Sequence, residues 1–138
     1  DPNTPIPCVL SAADATTIRE RIAAFNEIIE QETIKQNGLL VKTNKFIDCV
    51  GRYGFQVGNR ILTTDYLGGL YSLDGIHPSD VGYTIVANYF ITRMNRKLNT
   101  KIPLANVANA WQADPLRPYA ILTRPAGDDK ASSCLAVE

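Results

Sequence analysis

The most constraining feature of this chain is a long, well-delimited helical segment set between two short apolar runs with almost no linker on either side. Ile6-Pro7-Cys8-Val9-Leu10 reads as a short buried strand, with Pro7 placing it near a sheet edge or at a strand start. Ser11 can then cap the free N–H groups of a helix, and Asp14 falls in the first turn, where negative charge is favoured. The helix is expected to run to about Gln36. Ile18, Ile22, Phe25 and Ile29 form one continuous stripe, while Arg19, Glu20, Glu27, Glu30 and Lys35 fall mostly off it. Asn37-Gly38 supplies a left-handed stop, and Leu39-Leu40-Val41-Lys42-Thr43 follows at once as a second strand. Strand, helix and strand with tight joints predict a βαβ unit, with parallel strands and a right-handed crossover. The chain is therefore expected to be α/β.

Residues 44–73 read as loop-rich, punctuated by Gly51, Gly54, Gly58, Gly68 and Gly69; Val57-Gly58-Asn59-Arg60 can turn a small hairpin between Phe55 and Leu62. A second strong helix is expected after Pro78, with Ser79 or Asp80 as its cap. Val81, Ile85, Tyr89 and Met94 run along it, flanked by Val86, Phe90 and Ile91, a surface wide enough to pack on a sheet and on another element at once. Beyond Leu98 the periodicity fades. A short helix is expected within residues 102–111, Asp114-Pro115-Leu116-Arg117-Pro118 is a turn-forming stretch, and residues 127–133 are small and charged. Residues 1–100 thus form the expected domain portion and 101–138 an extended C-terminal tail.

Two parallel strands alone leave edges with unpaired backbone groups, and parallel sheets normally carry more strands with both faces covered. The chain is expected to need an N-terminal half, a second copy, or pairing within residues 50–65. The opening Asp1-Pro2-Asn3, with Met94 as the only Met, is read in the same direction, as a processed or truncated chain. A homo-oligomer or a fragment lacking its N-terminal half is the expectation.

Composition excludes several classes. The 138 residues carry 14 Lys+Arg and 14 Asp+Glu, with no visible clustering of either sign, so neither a nucleic acid nor an anionic membrane is an expected partner. Apolar runs are short and interrupted by charge, so no membrane span is expected. Cys8, Cys49 and Cys134 include no CxxC pair. They read as buried or incidental thiols, with one disulfide plus one free thiol left open. With one histidine and no carboxylates at ligand spacing, no metal is expected, and no glycine-rich phosphate cradle or other cofactor motif occurs.

That histidine, His77, carries the chemistry. It follows Asp74 by three residues in a loop that feeds a helix. Gly75 lets the loop turn sharply, Pro78 fixes its exit, and Gly82 allows the helix to pack closely. An Asp carboxylate accepting from one ring nitrogen sets the tautomer and leaves the other nitrogen as a proton acceptor.

Leu67-Gly68-Gly69-Leu70-Tyr71-Ser72-Leu73-Asp74-Gly75-Ile76-His77-Pro78-Ser79, followed by Gly82-Tyr83, resembles the C-terminal block of the SGNH, or GDSL-type, esterase and lipase family. The resemblance covers roughly residues 5 to 100. It implies a flavodoxin-like three-layer sandwich, of which this sequence would hold the βαβ unit and the C-terminal helix. It also implies a carboxylic ester hydrolase acting on a small-molecule ester or lipid, with His77 as general base and Asp74 orienting it. The family's serine, and the glycine and asparagine that complete its oxyanion hole, come from blocks with no counterpart here: the sequence has neither a GDS nor a G-x-N-D string. Ser72, Ser11 and Ser79 are the substitute nucleophiles to consider, although Ser11 and Ser79 read first as helix caps and Ser72 as support for the loop. Ser132 and Ser133 sit in the expected tail. Leu67, Leu70 and Tyr71, with Phe46, Phe55 and Tyr66, either line an acyl or alcohol pocket or form loop core. A catalytically inactive remnant serving as a binding or assembly module is the alternative.

Overall fold

A computed structural model describes residues 10–120 and 134–135, which form a mixed α/β structure. The expected first strand lies outside the described residues except for Leu10, as do Cys8, Ser132, Ser133 and the stretch 127–133. The chain divides into two compact units, Asp1–Leu40 and Val41–Glu138.

The first unit is built on α1 (Ala12–Lys35). Its ends are written in the sequence. The Ser11 hydroxyl accepts from the Asp14 backbone N–H at 3.1 Å and donates to the Asp14 carboxylate at 2.6 Å. At the other end Asn37 takes a left-handed φ of 53°. Gly38 N–H then reaches the Thr33 carbonyl at 2.8 Å, and Asn37 N–H the Ile34 carbonyl at 3.0 Å. This paired closure satisfies the carbonyls that a helix end leaves open. No residue of α1 is buried, and Phe25, in the middle of the stripe, is 62% exposed.

The second unit contains α2 (Thr43–Tyr53), the strands β1 (Phe55–Val57) and β2 (Arg60–Leu62), α3 (Asp80–Leu98), α4 (Val107–Ala113) and a 3-10 turn at Arg117–Tyr119. The strands pair antiparallel, with Phe55 opposite Leu62 and Val57 opposite Arg60, so Gly58-Asn59 forms the expected two-residue turn. The second expected strand does not form. Residues 38–42 lie in no ladder, and Thr43 already belongs to α2. A strand exists only where a neighbour takes up its N–H and C=O groups, and no described segment does so here. Among the described residues there is accordingly no βαβ unit. The first part of the loop-rich stretch expected over 44–73 is instead the helix α2, because Phe46, Val50 and Tyr53 recur on one face and bury Phe46 and Val50.

The core joins Phe46 and Val50 of α2, Phe55, Val57 and Leu62 of the hairpin, Leu70, and Val81, Ile85 and Tyr89 of α3 to Trp111 of α4 and to Cys134. Phe46 and Tyr89 stack with ring centroids 4.3 Å apart. Phe46 and Phe55 are therefore core residues. Cys49 of α2 is disulfide-bonded to Cys134, 85 residues away. This sequence-distant link replaces the expectation of incidental thiols at both positions.

After Asn99, which turns the chain with a left-handed φ of 51°, the segment 100–106 returns along α3. Two amide side chains hold it. Asn95 donates to the Ile102 carbonyl and accepts from the Ile102 N–H, and Asn88 does the same with Ala105. Trp111 then enters the core, and Asp114 reaches back so that one carboxylate oxygen accepts from Val81 N–H at 2.9 Å in the first turn of α3. The other oxygen accepts from Leu116 N–H at 2.8 Å.

Candidate active site

Residues 69–79 form a narrow loop pinned at its base. An isolated antiparallel bridge joins Tyr71 to Pro78, Ser72 N–H donates to the His77 carbonyl at 2.8 Å, and Ser79 N–H donates to the Leu70 carbonyl at 3.0 Å. The Ser79 hydroxyl donates to the Gly69 carbonyl and accepts from Gly82 N–H, so one side chain ties the loop's incoming arm to the cap of α3. Gly82 is needed for that approach: a Cβ there would collide with the Leu70 carbonyl oxygen. At the tip, Gly75 has φ +68°, a conformation that side-chain-bearing residues rarely adopt.

Within this frame Asp74 folds back onto His77. Its Oδ2 lies 2.7 Å from His77 Nδ1. Its Oδ1 accepts from the Ser72 hydroxyl at 2.7 Å and from the N–H groups of Ile76 and His77 at 2.9 Å each. The His77 ring, then the Ser72 hydroxyl, then the two backbone donors hold the Asp74 carboxyl far below the usual carboxylate range. An ionised carboxylate only accepts, so the proton of a neutral His77 sits on Nδ1 and Nε2 carries the free lone pair. The side chains of His77 and Asp74 are 68% and 48% exposed. The pair is thus pre-aligned by local bonds and open to an incoming group.

The serines lie elsewhere in this bonding pattern. Ser72 donates to the carboxylate, on the far side of the dyad from Nε2. Ser79 is buried and committed to Gly69 and Gly82. Ser11 caps α1 in the first unit. Among the described residues no serine hydroxyl hydrogen-bonds the His77 ring. Of the expected substrate-contacting residues, Leu70 is in the core, Tyr71 is half-buried, and Leu67 is partly exposed with a left-handed φ of 59°. Leu73 and Ile76, outside the expected site residues, neighbour Asp74 and His77 in sequence and are exposed large apolar side chains. Their signal was present: apolar residues placed in a loop tip have no core to enter.

No helix among the described residues is long and apolar enough to cross a membrane. No protein-family model matches the chain, and no curated protein or solved structure does either.

Proposed function

We propose that Asp74 and His77 are the orienting acid and general base of a carboxylic ester hydrolase of the SGNH type. The observation that carries this reading is the 2.7 Å bond from Asp74 to His77 Nδ1 on a ring whose other nitrogen is left for proton transfer. In the proposed reaction Nε2 takes the proton of a serine hydroxyl as that oxygen attacks an ester carbonyl. The imidazolium, stabilised by Asp74, returns the proton to the departing alcohol, and water then cleaves the acyl-enzyme by the same route. The serine comes from outside the described residues. On this reading the finer fold is the three-layer flavodoxin-like sandwich, whose parallel sheet has no strand among the described residues. Leu73 and Ile76 would offer an apolar rim for the acyl or alcohol group. The Cys49–Cys134 disulfide suits an oxidising compartment.

A short-chain aryl ester such as p-nitrophenyl acetate tests the proposal. Hydrolysis should vanish in His77→Ala and fall by roughly 1,000-fold or more in Asp74→Asn, which keeps the shape but removes the charge. Activity undiminished in His77→Ala would sink the assignment. One observation favours a second reading, a binding or assembly module: no described serine hydroxyl bonds the ring. Background hydrolysis by a folded protein, the same in wild type and His77→Ala, would select that reading.

A further inference from the structure

A recess lies in the Val41–Glu138 unit, lined by neither residue of the dyad. The tip of the β1–β2 hairpin, α4 and the 3-10 turn enclose a cleft of about 500 Å³, lined by Arg60, Trp111, Gln112, Asp114, Arg117 and Pro118, with Ala120 at its margin. That is the size of a small-molecule site. A smaller hollow of about 110 Å³ adjoins it and shares Arg60, Trp111, Gln112 and Arg117. The two arginines therefore stand where the hollows meet.

The lining is rich in donors and poor in acceptors. No hydrogen bond or ion pair engages the Arg60 guanidinium among the described residues. Arg117 is steadied through Nη1, which donates to the side-chain and backbone carbonyl oxygens of Gln112, and its remaining N–H groups engage no partner among the described residues. The Gln112 amide N–H groups likewise meet no acceptor among the described residues. Among the described residues the one acid of the lining, Asp114, is 4% exposed, and its two oxygens accept from backbone N–H groups, Val81 at the start of α3 and Leu116. It does not neutralise either arginine by direct contact. Trp111, Pro118 and Ala120 supply an apolar wall beside these donors. We propose that this cleft binds a small molecule bearing an oxyanion, a carboxylate or a phosphate, between Arg60 and Arg117, with its carbon body along the Trp111 and Pro118 side. Guanidinium groups suit both oxyanions because their fork of N–H donors matches paired oxygens.

The experiment uses the full chain with its disulfide intact. Inorganic phosphate and phenylacetate are titrated separately at low salt, followed by calorimetry and by the Trp111 indole N–H resonance. Binding of phosphate alone identifies a phosphate site, and binding of phenylacetate alone a carboxylate site; either supports the proposal when the Trp111 signal moves. Affinity should drop at least about tenfold in Arg60→Gln and disappear in the Arg60→Gln/Arg117→Gln double variant. The double Lys variant should fall between wild type and the double Gln variant, since it keeps charge but loses the fork. His77→Ala should bind as wild type does, which separates this site from ester hydrolysis. No binding of either anion at millimolar concentration overturns the proposal, as does affinity unchanged in Arg60→Gln, an exposed position whose replacement leaves the hairpin register intact.

Discussion

α1 and α3 are both helices that the sequence announces, yet they are held in different ways. α1 is closed by its own neighbours: Ser11 and Asp14 at one end, Asn37 and Gly38 at the other, with no residue buried between them. α3 has the same local start in Ser79, but it also receives Asp114 from 33 residues away and buries Val81, Ile85, Asn88, Tyr89 and Arg93. Capping chemistry decides where a helix begins and ends. It does not decide what the helix is worth, because an isolated helix is marginal without a packed face. The two units therefore differ in which bonds a perturbation can reach.

The largest test of that difference is reduction of the Cys49–Cys134 bond. Chain entropy for a closure of 85 residues gives a loss of about 4.5 kcal/mol. The loss should appear as a lower urea midpoint for the transition that reports on Trp111, while the α1 helical signal is unaffected. A common shift of both signals would break the comparison. Next in size, Ile85→Ala, at a site with no exposure, should cost about 2–5 kcal/mol in the same urea measurement. Ile22→Ala, at a position 53% exposed, should stay within about 0.5 kcal/mol. A large cost at Ile22 would mean that its stripe is covered in solution.

The smallest effect concerns the dyad loop, which resembles α1 in being held by local bonds. Its Asp74 carboxyl is depressed in the folded chain, so the stabilisation it gives is fully present above the ordinary carboxylate value of about 3.9 and is lost as pH falls through the folded value. Carbon-13 titration should show the Asp74 carboxyl flat from pH 7 down to about 4. In Ser72→Ala, which removes one donor, its titration should move upward. A wild-type midpoint at the ordinary value would show that the bonds to Asp74 do not persist in solution.

What the sequence made legible follows the same division. The two long helices, the Gly58-Asn59 turn and the Asp74–His77 pair rest on signals a few residues apart, and each of them formed. The strand expected at residues 39–43 failed because its apolar character says nothing about who pairs with it. α2 was hidden by Gly51 and Gly54, which read as loop punctuation although Phe46, Val50 and Tyr53 already had helical spacing. The disulfide partner and the Asp114 cap were beyond reach, since their separations of 85 and 33 residues leave no local trace. At the site, the base and its orienting acid were readable from one loop, whereas a nucleophile arriving from elsewhere in space has no such short-range signature.

The paired amides of Asn88 and Asn95 have one more consequence. Seven residues of helix advance about 10.5 Å, and the three residues from Ile102 to Ala105 span about 10 Å when extended. The two asparagines therefore act as a ruler laid against the returning segment. They measure its length as well as grip it, and only one alignment satisfies both marks. Inserting or deleting a single residue between Ile102 and Ala105 would put one asparagine out of step. The misfit would be passed along to Trp111 and Asp114, so the start of the helix that follows His77 is gauged from a site near that helix's far end.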